Sequence, residues 1–326
     1  MKNPPIIYSL PFPVPIGTRF KPFEGCVVAL GNFDGVHIGH KTVIDRTVQL
    51  ARNCQALPAL VTFEPHPNVF FAPKEPLFRL TSSAVKATIA QTRGCDLTMI
   101  FPFNEALASL NADDFLQNVL GSMLRVAGVV VGHDFHFGNQ RTGTPDYLKK
   151  WCIARGIPAV VVEPVKTLSQ VVSSTRIRNA LKEGLIEDAN QLLGHRWLIS
   201  GTVQAGAQNG RELGFPTANI ALGSECHLRF GVYAVRVRIE GDDRILLGAA
   251  SYGRRPMYDN GVPLLEVFIM DFDSDIYGKN LTVEFVSFIR SEARFPDLNM
   301  MIAQMKRDIM DIRAALKFED SVSLWD

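Results

Sequence analysis

Cysteine is scarce in this sequence, and the few that occur lie far apart. Cys26, Cys54, Cys95, Cys152 and Cys226 form an odd set with no Cys-x-x-Cys pair. That pattern argues against a disulfide framework and against a zinc site, and leaves reduced cytoplasmic thiols as the expected state. An excess of one charge is lacking too: 34 Lys and Arg against 33 Asp and Glu leave a formal net charge of +1. Nothing in that balance favours a nucleic acid or a membrane surface as partner. No apolar run is long enough to span a bilayer. Residues 1–20 are rich in proline and have no apolar core of a secretory signal. There is no internal repeat, no low-complexity segment and no Gly-x-x-x-x-Gly-Lys-Ser/Thr, so nucleotide chemistry here would proceed without the common P-loop. The expectation is a soluble cytoplasmic protein with no nucleic-acid and no membrane partner; its oligomeric state is not legible.

What is present is a chain of 326 residues, long enough for two domains. Up to about residue 165, short β-rich runs alternate with helical patterns. The strands expected are Val27–Leu30, Leu57–Phe63, Leu97–Phe101, Gly128–Val131 and Pro158–Glu163. The helices between them fall near Lys41–Arg52, Ser82–Arg93, Ala112–Arg125 and Thr144–Arg155. Such alternation implies an α/β domain with a parallel sheet, whose ligands bind beyond the C-terminal strand ends. Two short helices follow, one capped by Ser173 or Ser174 and ending near Gly184, the other covering Glu187–Leu193. From Leu198 to Ile289 the pattern changes to strands separated by Gly, Asn and Asp turns, including Gly231–Ile239, Arg244–Ala250, Leu264–Phe272 and Asn280–Ile289. This reads as a small antiparallel β-barrel, because closure removes exposed edges. A final amphipathic helix, Asp297–Lys317, places Met301, Met305, Ile309, Ile312 and Leu316 on one face. The domains expected are residues 1–187 and 188–326.

The most informative stretch is Cys26-Val-Val-Ala-Leu-Gly-Asn-Phe-Asp-Gly-Val-His-Ile-Gly-His40. A buried strand breaks at Gly31 into a turn, and a helix begins near Ile38. His37 and His40 then stand one turn apart at a helix start, where unpaired N–H groups and the helix dipole favour a phosphate. Gly39 would let a ligand approach the backbone closely. Taken alone, the two histidines could equally be metal ligands, or one core and one surface residue.

Further motifs follow in order: Thr62-Phe-Glu-Pro-His-Pro67, Val131-Gly-His-Asp-Phe-His-Phe-Gly138 with Arg141 and Gly143, Ser173-Ser-Thr-Arg-Ile-Arg178, Gly210-Arg-Glu-Leu-Gly-Phe-Pro-Thr-Ala-Asn219, Leu265-Glu-Val, and Asp275-Ile-Tyr-Gly-Lys279. In this order and at these separations they resemble the bifunctional bacterial riboflavin kinase/FAD synthetases, over about residues 25–316. The resemblance implies a Rossmann-like FMN adenylyltransferase domain of the HxGH nucleotidyltransferase type, followed by a riboflavin kinase barrel with a terminal helix. It implies riboflavin, FMN, FAD and ATP as partners, and Mg2+ as cofactor.

Adenylyl transfer needs no protein nucleophile, because the FMN phosphate attacks the α-phosphorus of ATP. The protein has to align the reactants and neutralise charge. By resemblance His37 and His40 donate to the triphosphate, and Ser174, Thr175 and Arg178 form a second phosphate-facing group. A helix cap with solvated arginines is the plainer alternative for the latter. Gly31, Asn32, Phe33, Asp34, Gly39 and Asp134 are expected at the nucleotide, although Asn32 and Asp34 could merely build the turn. His133 and His136 bracket Asp134 as a metal cluster might, but no third or fourth ligand stands at metal spacing. His66, Pro67 and Phe137 are expected at the flavin, with Phe70 and Phe71 either lining it or belonging to the core.

In the second domain Thr217 and Asn219 lie on one side of an extended chain, as hard oxygen donors for Mg2+. Gly206, Gly210 and Gly214 suit a covering flap at the nucleotide, and Arg211 is expected at the flavin. Glu266 interrupts an apolar strand. The resemblance makes it the base for the riboflavin 5′-hydroxyl; plain alternation would put it on the outer face. Met257 and Phe268 depart from the family pattern, where Thr and His are frequent. They support a rival reading in which the barrel is a flavin-binding or regulatory module with weak kinase activity. A nucleotide sensor without turnover is a third reading, which would not need His37, His40, Ser174, Thr175 and Arg178 together.

Overall fold

The computed structural model describes residues 4–15, 18–167, 169–204, 215–223, 225–254 and 263–317. The chain divides into two compact units, one of Met1–Leu77 and Thr81–Ser173, the other of Phe78–Leu80 and Ser174–Asp326.

The first unit is built on a six-stranded sheet in the order β1-β4-β3-β2-β5-β6. Its strands are β1 (Ile6–Ser9), β2 (Val27–Leu30), β3 (Pro58–Glu64), β4 (Leu97–Pro102), β5 (Gly128–Gly132) and β6 (Ala159–Val162), all paired in parallel. The central β2 is buried along its whole length, as a strand covered on both faces must be. Beside it are β3 on one side (Val27↔Pro58) and β5 on the other (Val27↔Gly128). The chain winds outward from β2 through β3 to β4, then crosses back to β5. The C-terminal ends of β2 and β5 therefore form the switch point at which such sheets bind ligands.

The helices of this unit are α1 (Ile38–Asn53), α2 (Pro67–Phe71), α3 (Ser83–Thr92), α4 (Glu105–Ala108), α5 (Ala112–Asp114) and α6 (Pro145–Ile153). Ser82 caps α3 by accepting from Val85 N, and Thr144 caps α6 by accepting from Tyr147 N. Both caps satisfy amides that a helix start leaves unpaired. Two features depart from the sequence reading. The helix expected over Ala112–Arg125 is α-helical only for its first turn and continues as a π-helix over Phe115–Met123. Its apolar spacing is the same in either winding, so periodicity did not separate them. Strand β1 went unnoticed because it is an edge strand, mostly exposed and set among prolines.

A two-residue hairpin, β7 (Lys166–Thr167) with β8 (Gln170–Val171), precedes the second unit. That unit starts with α7 (Ser174–Glu183) and α8 (Ile186–Leu193), the latter closed by Gly194 at φ 68°. Its sheet runs β10-β13-β12-β11-β14-β9, with β9 (Leu198–Thr202), β10 (Thr217–Ala221), β11 (Gly231–Ile239), β12 (Leu246–Gly253), β13 (Leu264–Ile269) and β14 (Asn280–Arg290). All pairs are antiparallel. The two ends meet where Gln204 N donates to the Asn219 carbonyl at 2.9 Å, which nearly closes the barrel. Gly201 permits this approach, because a Cβ there would collide with Ile220. Helix α9 (Leu298–Lys317) lays Ile309, Ile312, Ala315 and Leu316 on the outer sheet face, against Val232, Ala234, Ala249, Phe268 and Val286. Asp308 of α9 is buried and takes a bidentate hydrogen bond from Arg290 at 2.7–3.0 Å.

The contact division falls between Ser173 and Ser174, whereas the sequence reading put the boundary at 187/188. Asn190 on α8 donates to the Phe285 carbonyl and accepts from Trp197 N, which ties the paired helices to the barrel. No helix among the described residues is long and apolar enough to cross a membrane.

Candidate functional site

The loop after β2 is held from several sides. The Asn32 carbonyl accepts from Thr62 Oγ1 at 3.0 Å. The Asp34 carboxylate is buried and accepts from Thr81 N and Oγ1, while Gly35 N donates to Thr81 Oγ1 at 2.9 Å. Phe33 and Val36 are buried with φ of 49° and 41°, in the left-handed region that a β-branched valine rarely enters. Strained backbone of this kind persists where surrounding contacts fix it, often in ligand-binding loops. The Asp34 side chain thus builds the turn, one of the two roles its sequence left open.

His37 is the N-cap of α1, and its Nδ1 accepts from His40 N at 3.3 Å. With Nδ1 an acceptor, the ring proton of neutral His37 sits on Nε2, which becomes a donor. The His37 and His40 rings are stacked, with centroids 3.7 Å apart and planes at 14°. Phe33 packs edge-on against His40 at 5.3 Å. Burial lowers the His37 imidazole to about 4, against the opposing pull of Asp134 and Asp34. Burial, followed by His37 and Lys86, holds His40 well below the ordinary imidazole range. Both rings are therefore neutral at physiological pH. His40 Nδ1 is buried and has no hydrogen-bond partner among the described residues. Gly39 also makes room for His37: a Cβ there would press on the His37 ring at 3.2 Å.

The other ligand-edge residues divide. Asp134 follows β5 with its side chain 82 % exposed, and its charge acts on His37. His66 caps α2 by accepting from Asn68 N at 3.1 Å, with Pro67 in the first helical turn. Phe70, Phe71 and Phe103 form a trio with centroids 5.3–5.6 Å apart, at the ends of β3 and β4. Phe71 is 67 % exposed, so one aromatic face of the trio is open. Phe137 behaves otherwise. It lies in the core between Phe115 and Phe135, and Gly143 leaves the room its ring fills. That placement gives Phe137 a packing role where the sequence reading expected a flavin contact. No group of three or more His, Cys, Asp or Glu side chains disposed for a metal occurs among the described residues.

Ser174, Thr175 and Arg178 stand on the first two turns of α7, in the second unit, whereas His37 and His40 belong to the first. Arg178 Nε donates to the Phe78 carbonyl at 2.6 Å, which directs the guanidinium.

On the barrel, Asn219 of β10 lies directly opposite Glu266 of β13, and Thr217 opposite Phe268. Alternation puts Ala218, Ile220, Leu265 and Val267 inside and Thr217, Asn219 and Glu266 on the outer face. Glu266 is half-buried on that face, beside Asn219. Asn219 Oδ1 is buried with no hydrogen-bond partner among the described residues. Such an oxygen invites a hard cation or a water, and Thr217 adds a second donor two residues away. The set fits Mg2+. Phe268 packs edge-on against Phe215 at 5.4 Å and under α9, which accounts for an apolar residue there. Gly206, Gly210, Arg211, Gly214 and Met257 lie outside the described residues.

Sequence reasoning met Thr62 only as the start of a motif, without a role for it, and passed over Thr81, Phe103 and Lys86. Only Lys86 left a signal: it shares the helical stripe of Ile89 and Ala90, and a lysine on an apolar stripe invites a question.

Comparison with known proteins covers both units. The family model of FAD synthetase matches residues 20–176, and that of riboflavin kinase matches residues 193–316. A bifunctional riboflavin kinase/FMN adenylyltransferase of Listeria monocytogenes is 37 % identical over 298 residues, covering 90 % of this chain and 94 % of that one. Its counterpart in Escherichia coli K12 is 36 % identical over 293 residues, covering 90 % and 93 %. The crystal structure of a macrolide-efflux protein from Streptococcus pneumoniae superposes with a TM-score of 0.82 at 29 % identity, covering 94 % of this chain and 99 % of that one.

Proposed function

The chain belongs to the bifunctional riboflavin kinase/FMN adenylyltransferase family, and on that premise we propose how its residues divide the work. The protein makes FAD from riboflavin in two ATP-dependent steps. The riboflavin 5′-hydroxyl attacks the γ-phosphorus of ATP, giving FMN and ADP. The FMN phosphate then attacks the α-phosphorus of a second ATP, the bond to the β-phosphate breaks, and pyrophosphate leaves.

The N-terminal domain, residues 1–187 in the sequence reading, performs adenylyl transfer. The observation that carries this is the stacked His37–His40 pair at the N-terminus of α1, with His37 Nε2 left as a donor. Charge builds on the α-phosphate oxygens and on departing pyrophosphate as the bond breaks. The imidazole N–H groups and the first amides of α1 meet that charge. Thr62 and Thr81 hold the loop in place through Asn32 and Asp34. Phe70, Phe71 and Phe103, beyond His66 and Pro67, offer the flavin ring an aromatic surface. Ser174, Thr175 and Arg178 are phosphate-binding groups at the start of α7, where N-terminal amides favour an anion.

The barrel, residues 188–326, performs the kinase step. Glu266 takes the proton from the riboflavin hydroxyl as the new P–O bond forms. Thr217 and Asn219 would hold Mg2+, which would neutralise charge on the ATP phosphates. Phe268, one of the two residues behind the rival reading of a barrel with weak kinase activity, has a packing role against Phe215. Five free thiols favour a reducing compartment such as the cytoplasm as the place of this chemistry.

One assay tests both halves. The protein is incubated with riboflavin, ATP and Mg2+, and flavins are followed by chromatography. FMN followed by FAD is expected. FAD formed only from supplied FMN would reduce the barrel to a binding module, and no conversion at all would overturn both activities.

A further inference from the structure

Lys86, on α3, is 0 % exposed. A lysine is almost never fully buried without a reason, since desolvating an ammonium is costly. Among its partners are Glu64 Oε1 at 3.4 Å and Thr62 Oγ1 at 3.5 Å. Both are long beside the usual charge-assisted distance of about 2.7–2.9 Å. The ammonium thus reaches a hydroxyl as well as a carboxylate. Glu64 is engaged elsewhere as well, accepting from Ser83 Oγ at 2.7 Å. For stability alone, an apolar side chain on this helix face would serve as well.

The second acceptor leads to the site. Thr62 Oγ1 accepts from Lys86 and donates to the Asn32 carbonyl, in the turn between β2 and His37. A hydroxyl that accepts from a cation is a stronger donor, so the chain Lys86–Thr62–Asn32 is mutually reinforced. Thr62 and Glu64 lie at the C-terminal end of β3, next to β2 on the ligand edge. We propose that Lys86 is a positioning residue for adenylyl transfer, holding the Asn32 turn through Thr62 and setting a fixed positive charge at the edge where the triphosphate binds. The charge also acts on the site directly: burial first and His37 next hold the His40 imidazole low, and Lys86 adds a repulsion of the same sign. A cation there attracts the polyanion without donating to it, while the histidines remain uncharged donors. The inference rests on the reading of His37 and His40 as the adenylyl-transfer site.

The test uses the full chain with Lys86→Met, Lys86→Arg and Thr62→Val. FAD formation from FMN and ATP is measured with kcat and KM separated, riboflavin phosphorylation by the same chain serves as internal control, and the His40 ring is titrated by NMR. Lys86→Met is expected to lower the FAD-forming kcat by about 10- to 100-fold, as small displacements of reacting groups do. Riboflavin phosphorylation should stay unchanged, and the His40 titration should move up because a repelling cation is gone. Lys86→Arg should restore most of the rate. Thr62→Val should lose rate with the His40 titration in place, since the charge remains. A Lys86→Met chain with an undiminished FAD-forming kcat overturns the proposal. So do equal losses in the Met and Arg variants with His40 unmoved, which would mark a packing residue. If Lys86→Met does not fold, Thr62→Val decides, and an undiminished kcat there is likewise fatal. A wild-type chain that forms no FAD overturns the adenylyl-transfer reading itself, an outcome distinct from failure of the Lys86 variants alone.

Discussion

At the edge of the parallel sheet the groups we assign to phosphate are two stacked neutral imidazoles on a helix N-terminus, with a lysine buried nearby. On the barrel the groups we assign to the kinase step are a threonine, an asparagine and a glutamate on adjacent strands. Both units handle ATP, and the base we assign, Glu266, stands on the barrel. The nucleophiles explain this. A flavin phosphate is already ionised at neutral pH, its second pKa being near 6, so its attack needs donors and no base. A primary hydroxyl must lose a proton as it attacks. The one buried carboxylate in the first loop, Asp34, is accordingly occupied with Thr81 and serves the turn.

The sharpest way to break this contrast is to exchange the losses. His40→Ala should lower FAD formation by about 100- to 1,000-fold, the usual effect of removing a transition-state donor, while FMN still accumulates. Glu266→Ala should lower FMN formation by about 100- to 10,000-fold, the range for a general base, and leave FAD formation from supplied FMN intact. Chromatography of the flavins reads both. A folded variant that lost both activities would show that the two sites are not independent.

The next effect is on stability against pH. Burial depresses His37 to about 4 in the folded chain, from an ordinary value of 6.5. Folding then favours the neutral ring. The associated stability is complete above pH 6.5 and is lost as pH falls toward 4, where the unfolded chain binds the proton more readily. Over that window the loss is about 3 kcal/mol by linkage. His37→Asn, which keeps a capping side chain, should flatten the first unit's denaturation midpoint between pH 6.5 and 4, as followed by urea unfolding. An unchanged slope would mean that the ring is hydrated and titrates normally.

Much of the fold was legible, because it is written in local pattern. Val27–Leu30 and Gly231–Ile239 end where their apolar and alternating runs end. Helices α3 and α6 start immediately after the capping Ser82 and Thr144. Of the candidate site, His37 and His40 announced themselves by spacing and by the turn before them. What escaped was what depends on distant partners. No local pattern says that Thr81 will meet Asp34, or that Thr62 will meet Asn32. Phe137 and Phe71 look alike in sequence; only the packing around Gly143 separates a core ring from an open one.

Thr81 offers a smaller, sharper measure of the same contrast. Thr81→Val keeps the shape and removes one hydroxyl, which accepts from Gly35 N and donates to Asp34. Lost hydrogen bonds of this kind cost about 1 kcal/mol of stability each. In rate, FAD formation should fall by roughly tenfold, the equivalent of about 1.4 kcal/mol in the barrier, while riboflavin phosphorylation stays level. A uniform fall in both would make Thr81 a matter of general stability.

The smallest effect expected concerns the open aromatic trio, and it tests whether the first unit binds flavin by stacking. Phe71 is exposed, and its ring stands 5.6 Å from that of Phe103. It is not needed for the core, which Phe63 and Phe101 fill without it. If the isoalloxazine ring lies against it, Phe71→Ala removes a contact made equally in the ground state and in the transition state. Such a change raises KM for FMN and leaves kcat alone. Stacking on an aromatic face contributes about 0.5–1.5 kcal/mol, so KM should rise a few-fold to about tenfold. KM for ATP should not move, and neither should any constant of the kinase step. An unchanged KM for FMN would put the flavin elsewhere along the sheet edge and leave the trio as an exposed extension of the core.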